Sequence, residues 1–350
     1  MSVSELVNHF APPVHAALRR GHLPRAPGFA RLGEATANVP PTLPGMESSQ
    51  LAERVLAGDR RALARAISVV EDSEDTELLS LLHPHGGGAR IVGITGAPGS
   101  GKSTLTDRLI AEARTAEHSV AVLAVDPSSP FTGGAVLGDR IRMQDHVADP
   151  GVYIRSMSTR GALGGVSNAT EAATVVLDAA GFDVVFVETV GVGQSEVDVM
   201  RLVETTVVVV APGFGDGVQA AKAGVLEIGD VFVVNKSDLP GADSVVRDLT
   251  QMLELGMGGS WDPPIVSTSA LEERGIDRLW MALESHREHL AGPDGATDRR
   301  ARVELSIRRS LLSRLGRQVA EREIPTALVD DVLARRSDPW RAAAELLQLD

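Results

Sequence analysis

The sequence predicts an α/β fold: a doubly wound, mostly parallel sheet flanked by helices, with further helices before and after it. Three observations predict this. Seven short β-branched runs (RIVGIT, SVAVLAVD, VYIRSM, DVVFVET, TTVVVVAP, VFVVNKSD and PIVSTSA) alternate with helical stretches between residues 90 and 292. The runs are continuously apolar rather than alternating, as strands covered on both faces require. The first run passes directly into a glycine-rich loop and then a helix, the order of a phosphate-binding strand–helix unit.

The elements follow in chain order. Residues 1–47 form a proline-rich leader, with seven prolines before residue 46 and no sustained periodicity, and disorder is expected there. The leader is richer in arginine than in acid, as a targeting peptide would be, but its prolines suit an amphipathic transit helix poorly. Residues 48–89 are a helical segment, with Asp59 placed to cap RRALARAISVV, and HPHGGG is expected to be a flexible joint. The sheet domain occupies 90–292, and AGPDGATD at 291–298 reads as a linker. From 293 to 350 the chain is helical again. Val303, Ile307, Leu311, Leu315 and Val319 recur every fourth residue, and Asp338–Pro339 caps and opens a last helix. A short helical tail cannot bury such a stripe alone; it must fold back or pair with a second chain.

Composition narrows the function. The chain has 350 residues, 43% of them hydrophobic, which is enough for one large core or two modest ones. No apolar run approaches the roughly 18 to 20 residues of a membrane helix, and the first 20 residues lack a signal-peptide core, so a cytoplasmic protein is expected. Without cysteine, any metal must sit on oxygen or imidazole ligands. A net charge of −13 opposes a nucleic-acid partner. Only three lysines occur, Lys102, Lys222 and Lys236. A chain that otherwise writes its positive charge as arginine keeps lysine where a compact ammonium is needed.

Two of the three lysines lie in motifs. GITGAPGSGKSTL places Gly96, Gly99, Ser100, Gly101, Lys102, Ser103 and Thr104 between strand and helix, the required setting of a P-loop. Its amides and helix N-terminus suit phosphates, Lys102 reaches the terminal phosphates and Ser103 ligates magnesium. VVNKSDLP closes a later strand. Asp238 there suits the imino and exocyclic amino groups of guanine, Asn235 the opposite ring edge, and the Lys236 stem the base plane. In STSAL, the Ser269–Ala270–Leu271 backbone is placed to meet the guanine oxygen. The nucleotide expected is GTP.

DVVFVETVGVGQSE has the logic of a Walker B strand, with Glu188 at its end and the Gly191 amide placed for the γ-phosphate. Glu188 stands where most P-loop GTPases carry aspartate. Asp126 and Asp139 are either turn or cap residues or further oxygen ligands for Mg2+. Val192 stands where a water-positioning glutamine is found in Ras-like proteins, with Gln194 two residues on. Slow intrinsic hydrolysis, on the order of 10⁻⁴ to 10⁻² s⁻¹, is therefore expected without a partner.

Together TGAPGSGKSTL, VDPSSPFTGGAVLGDR, VETVGVGQSE, APGFGDGVQAAKAG and NKSDLP, in that order, resemble the MeaB-type (methylmalonic aciduria type A protein / ArgK-like) P-loop GTPases over about 48–350. The resemblance implies a homodimeric GTPase of the same broad class as the nickel-enzyme maturation GTPases, its C-terminal helices forming a dimerisation arm. It implies a chaperone for an adenosylcobalamin-dependent acyl-CoA mutase such as methylmalonyl-CoA mutase, gating cofactor delivery and protecting or reactivating the mutase. It makes Asp126, Asp139 and Glu188 the acidic shell of the metal and its water, and 212–227 a mobile switch. Lys222 lies in that switch; it is either a solvated helix lysine or a group that swings toward the nucleotide or its neighbouring acids when a mutase docks, coupling docking to hydrolysis. Two other functions compete. A metal-insertion GTPase would need soft or imidazole ligands, and His83 and His85 are the one close histidine pair. A transport-associated kinase would pass phosphate to a binding protein.

Overall fold

The computed structural model describes residues 46–73, 75–126, 146, 148–158, 165–189, 191, 194–213, 228–256, 260–293 and 295–348. The leader up to residue 45, Asp139 and Lys222 lie outside these. Three helices come first: α1 (Ser48–Leu56), α2 (Arg60–Ser73) and α3 (Thr76–Leu82). The sheet domain then runs β1 (Arg90–Gly96), α4 (Lys102–Thr115), β2 (Val120–Asp126), β3 (Val152–Ser158), α5 (Gly165–Ala179), β4 (Val184–Thr189), α6 (Gln194–Met200), β5 (Thr205–Val210), β6 (Val231–Val234), α7 (Ala242–Gly256), β7 (Ile265–Ser267) and α8 (Ile276–Ala291). Three helices close the chain: α9 (Gly295–Ala320), α10 (Thr326–Leu333) and α11 (Pro339–Gln348).

All seven apolar runs are strands of one sheet, ordered β3-β2-β4-β1-β5-β6-β7. Every pairing is parallel. The two-residue period of a strand divides these runs between two cores. Val120 and Val122 of β2 and Val184 and Phe186 of β4 pack with Leu105, Leu109 and Ile110 of α4 and with Leu279 and Leu283 of α8. The intervening Ala121, Leu123, Val185 and Val187 pack with Leu51, Leu63, Ile67, Val70, Leu78 and Leu82 of the first three helices and with α5. Residues 48–82 thus share a core with the sheet. Asp59 caps α2 by accepting from the amides of Arg61 (2.8 Å) and Ala62 (3.2 Å), a device worth about 1 kcal/mol.

Two connections differ from expectation. HPHGGG is a 3-10 turn over His83–His85 followed by a pinned strand entry, not a flexible joint. The Asp178 carboxylate at the end of α5 accepts from the amides of Gly87, Gly88 and Ala89, giving partners to donors that no helix or strand satisfies. The linker at 291–298 is shorter than predicted, because α8 continues to Ala291 and α9 begins at Gly295. A Cβ at Gly295 would lie 2.4 Å from the Leu290 backbone, so this tight join needs glycine.

Topology sets the place of function. From β1 the chain crosses to β2 and β3 on one side, returns to β4 beside β1, then moves to β5 on the other. Such a reversal leaves a crevice at the carboxyl ends of the strands. The loop after β1, the end of β4 and the loops after β6 and β7 all open there.

Candidate functional site

Two glycines of the loop that leaves β1 sit where any side chain would collide. Gly96 has φ 146°, and a Cβ would lie 2.1 Å from the Val209 carbonyl of β5. Gly101 has φ 94°, and a Cβ there would lie 2.3 Å from Asn235 Nδ2. Gly99 is also left-handed, with φ 80°. Lys102, Ser103 and Thr104 form the first turn of α4, whose N-terminal amides carry partial positive charge. The buried Lys102 ammonium donates to the carbonyls of Gly96 (2.7 Å) and Ala97 (3.1 Å), spanning the loop. Ser100 Oγ is buried and has no hydrogen-bond partner among the described residues.

Glu188 comes next. Strand parity puts it on the same side of β4 as Val184 and Phe186, beneath α4. The Ser103 hydroxyl donates to Glu188 Oε1 at 2.6 Å, and both residues are buried. A hydroxyl and a carboxylate at the mouth of a phosphate loop are hard oxygen donors of the kind magnesium takes. Past the strand, the Gly191 carbonyl accepts from Thr95 Oγ1 (3.1 Å), and the Thr189 hydroxyl donates to Thr95 Oγ1 (3.2 Å). These two buried threonines hold the start of the loop after β4, and the sequence reading passed over them. Their signal was a polar residue inside each apolar run.

The base end is knitted by Asn235. Its Nδ2 donates to the Ser100 carbonyl (2.9 Å), and its Oδ1 accepts from Thr268 Oγ1 (3.1 Å) and the Ala270 amide (3.1 Å). One buried carboxamide therefore ties the P-loop to the loop after β7. Lys236 follows in a left-handed turn, φ 57°. Asp238 is exposed and accepts from Ser269 Oγ at 2.6 Å. That hydroxyl, more than any other neighbour, holds the Asp238 carboxyl below the usual carboxylate range, keeping it a charged acceptor. The Ser269 amide donates to the Arg274 carbonyl (3.0 Å), so a guanine oxygen meeting the Ser269 or Ala270 amide would share it with an acceptor already present. Leu271 is exposed beside them. Arg108 of α4 donates to the Ala270 carbonyl (3.3 Å), fixing this loop from the other side.

The fold thus gathers Gly96 to Thr104, Glu188, Gly191, Asn235, Lys236, Asp238 and Ser269 to Leu271 at one end of the sheet. The Asp126 backbone ends β2, level with Ser158 of β3. Asp139 and Lys222, predicted to act here, fall outside the described residues. Among the described residues no group of three His, Asp or Glu side chains converges as a metal site.

The family described as methylmalonyl Co-A mutase-associated GTPase MeaB matches residues 63–323. The chain belongs to the MeaB family. It is a P-loop GTPase, and a similar Pyrococcus abyssi protein named as a GTPase is 48% identical over 310 residues, 85% of this chain and 95% of that one. A fused isobutyryl-CoA mutase from Cupriavidus metallidurans is 37% identical over 244 residues, which are 66% of this chain but 22% of that one. Among solved structures, a LAO/AO transport system kinase superposes with a TM-score of 0.62 at 27% identity, covering 86% of this chain and 97% of its own. None of the helices searched among the described residues of this MeaB-family chain is long and apolar enough to cross a membrane.

Proposed function

We propose that this MeaB-family GTPase is a chaperone that gates adenosylcobalamin delivery to an acyl-CoA mutase and protects or reactivates that mutase, working as a homodimer. The observation that carries the mutase reading is the fused relative. There, a counterpart of two thirds of this chain and a protein named as a mutase are one polypeptide. The family's description as mutase-associated supports the same partner.

The residues fit GTP and magnesium. Gly96 and Gly101 admit no side chain, Ser100 Oγ awaits an acceptor or donor, and Ser103 with Glu188 presents hard oxygens. We assign the ion to Ser103 and Glu188, with Asp126 and Asp139 as further ligands. Bound there, magnesium supplies charge neutralisation on the phosphates. Lys102 orients the terminal phosphates from across the loop, and the Gly191 amide meets the γ-phosphate. Asp238 accepts from guanine's imino and amino groups, and the second Nδ2 hydrogen of Asn235 serves the opposite edge. Lys222, in the 212–227 switch, approaches the nucleotide when the mutase docks and couples docking to hydrolysis. The exposed stripe on α9 is the homodimer contact.

The test is capture of adenosylcobalamin-dependent acyl-CoA mutases on the tagged full-length protein, with GDP and with a non-hydrolysable GTP analogue. Retention of one mutase that changes with nucleotide, and mutase-stimulated hydrolysis lost in Lys222→Ala, is expected. No mutase retained with either nucleotide sinks the chaperone reading. Calorimetry in magnesium buffer with ATP bound as tightly as GTP sinks the assignment of Asp238.

A further inference from the structure

A second cavity lies at the opposite end of the sheet. It is lined by the amino-terminal residues of β1, β4 and β5 and by α8 and the start of α9, and encloses about 170 Å³. For scale, a cavity near 150 Å³ holds a benzene ring. β1 has seven residues, so at roughly 3.3 Å per residue its mouth is about 20 Å from the P-loop, too far for one nucleotide's phosphates to reach both.

Four arginines line it: Arg90, Arg287, Arg299 and Arg302. In a chain with a net charge of −13, four arginines around one cavity run against the overall balance. One carboxylate, Glu204, lines the same wall. It accepts from the Ile91 amide (3.3 Å), and burial raises its carboxyl above the usual range against the opposing pull of Arg302 and Arg287. Arg90 is paired outside the wall with Glu284 and lies 5.6 Å over the Trp280 ring. Arg302 donates to the Glu204 carbonyl at 3.4 Å. Arg287 and Arg299 are exposed and make no hydrogen bond or close ion pair among the described residues, Arg287 acting on Glu204 only through space. The apolar part of the wall is chiefly Trp280, Leu283 and Leu290, with Thr205 and the Gly87–Gly88 backbone completing it.

We propose that this cavity is a second anion site, separate from the nucleotide site, which takes a small molecule carrying a phosphate on an apolar or planar body. The arginine forks match phosphate oxygens two at a time, as lysines would not. Trp280 and the two leucines receive the body. Because α8 and α9 both wall the cavity, its occupant bridges the sheet domain to the C-terminal helices.

The experiment uses the full-length protein with its P-loop saturated by GDP and magnesium, and phenyl phosphate as probe. Calorimetry should show one site per chain, with phenyl phosphate bound about tenfold more tightly than inorganic phosphate because the ring is taken from water. The double substitution Arg287→Ala/Arg299→Ala, on two exposed side chains, should weaken phenyl phosphate at least tenfold and leave GDP affinity and basal hydrolysis unchanged. Arg287→Glu alone should weaken it as well, and the double lysine variant should keep part of the affinity. GDP affinity, measured in the same titrations, reports separately on the nucleotide site. Absence of a phenyl phosphate site, equal affinity in the double alanine variant, or no preference over inorganic phosphate overturns the proposal. So does co-sedimentation with phosphatidic acid vesicles in the absence of phenyl phosphate binding, which would assign the arginines to a lipid surface.

Discussion

Asn235 is expected to stabilise the protein even when no nucleotide is bound. Its side chain makes three hydrogen bonds, to the Ser100 carbonyl, the Thr268 hydroxyl and the Ala270 amide. All four residues are buried, with Asn235 2% and Thr268 0% exposed. Asn235→Ala leaves three polar groups without partners inside the protein. At about 1 to 1.5 kcal/mol for each, the loss is about 3 to 4.5 kcal/mol. With a urea m-value of about 3 kcal/mol/M, the unfolding midpoint of the nucleotide-free protein should fall by about 1 to 1.5 M. Thr268→Val removes one of the three bonds at constant shape, and should cost about 1 kcal/mol. Urea denaturation followed by circular dichroism, without nucleotide, is the assay. A midpoint within about 0.2 M of the parent would show that Asn235 serves only a bound base, and the reasoning would fail.

Three further outcomes follow from the same structure. Glu188→Gln keeps an acceptor for Ser103 but loses the charge, so single-turnover GTP hydrolysis in magnesium should fall about 10- to 100-fold; an unchanged rate would remove Glu188 from the metal shell. The α9 stripe is open to solvent, with Ile307 62% and Leu311 55% exposed, so Ile307→Asp/Leu311→Asp should turn a dimer into a monomer in sedimentation equilibrium; a monomeric parent would refute the dimer. Burial, before His289 and Arg302, lowers the pKa of His286 from 6.5 to about 4. Its stabilisation, about 3 kcal/mol, is complete above pH 6.5 and lost as pH falls through 4. Burial raises Asp230, whose Oδ1 lies 3.5 Å from His286 Nε2, to about 6. That stabilisation is complete below pH 3.8 and lost as pH rises through 6, so the two oppose each other between pH 4 and 6. Asp230→Asn should therefore lose stability relative to the parent steadily as pH drops from 6 to 4 in urea titrations; a pH-independent difference would refute it.

Much of the molecule was legible in the chain itself. Short, continuously apolar β-branched runs named all seven strands, because a strand covered on both faces must be apolar throughout. The GxxxxGKS spacing located the phosphate loop, since only glycine tolerates the backbone of Gly96, Gly99 and Gly101. Asp59 and Asp338 announced helix starts because a cap is a contact within a few residues, and Trp340 and Arg341 amides do donate to Asp338.

What only the folded chain decided are the contacts between residues far apart in sequence. That Gly101 must lack a side chain because Asn235 presses on it, that Asn235 spends its carboxamide on two loops, and that Asp178 pins the HPHGGG stretch depend on partners 33 to 135 positions away. The same holds for the arginine-lined cavity, where Arg90 opens the first strand and Arg302 lies on a helix past the last. No local pattern encodes such neighbours, because parallel strands meet only through crossovers and their register is set by packing.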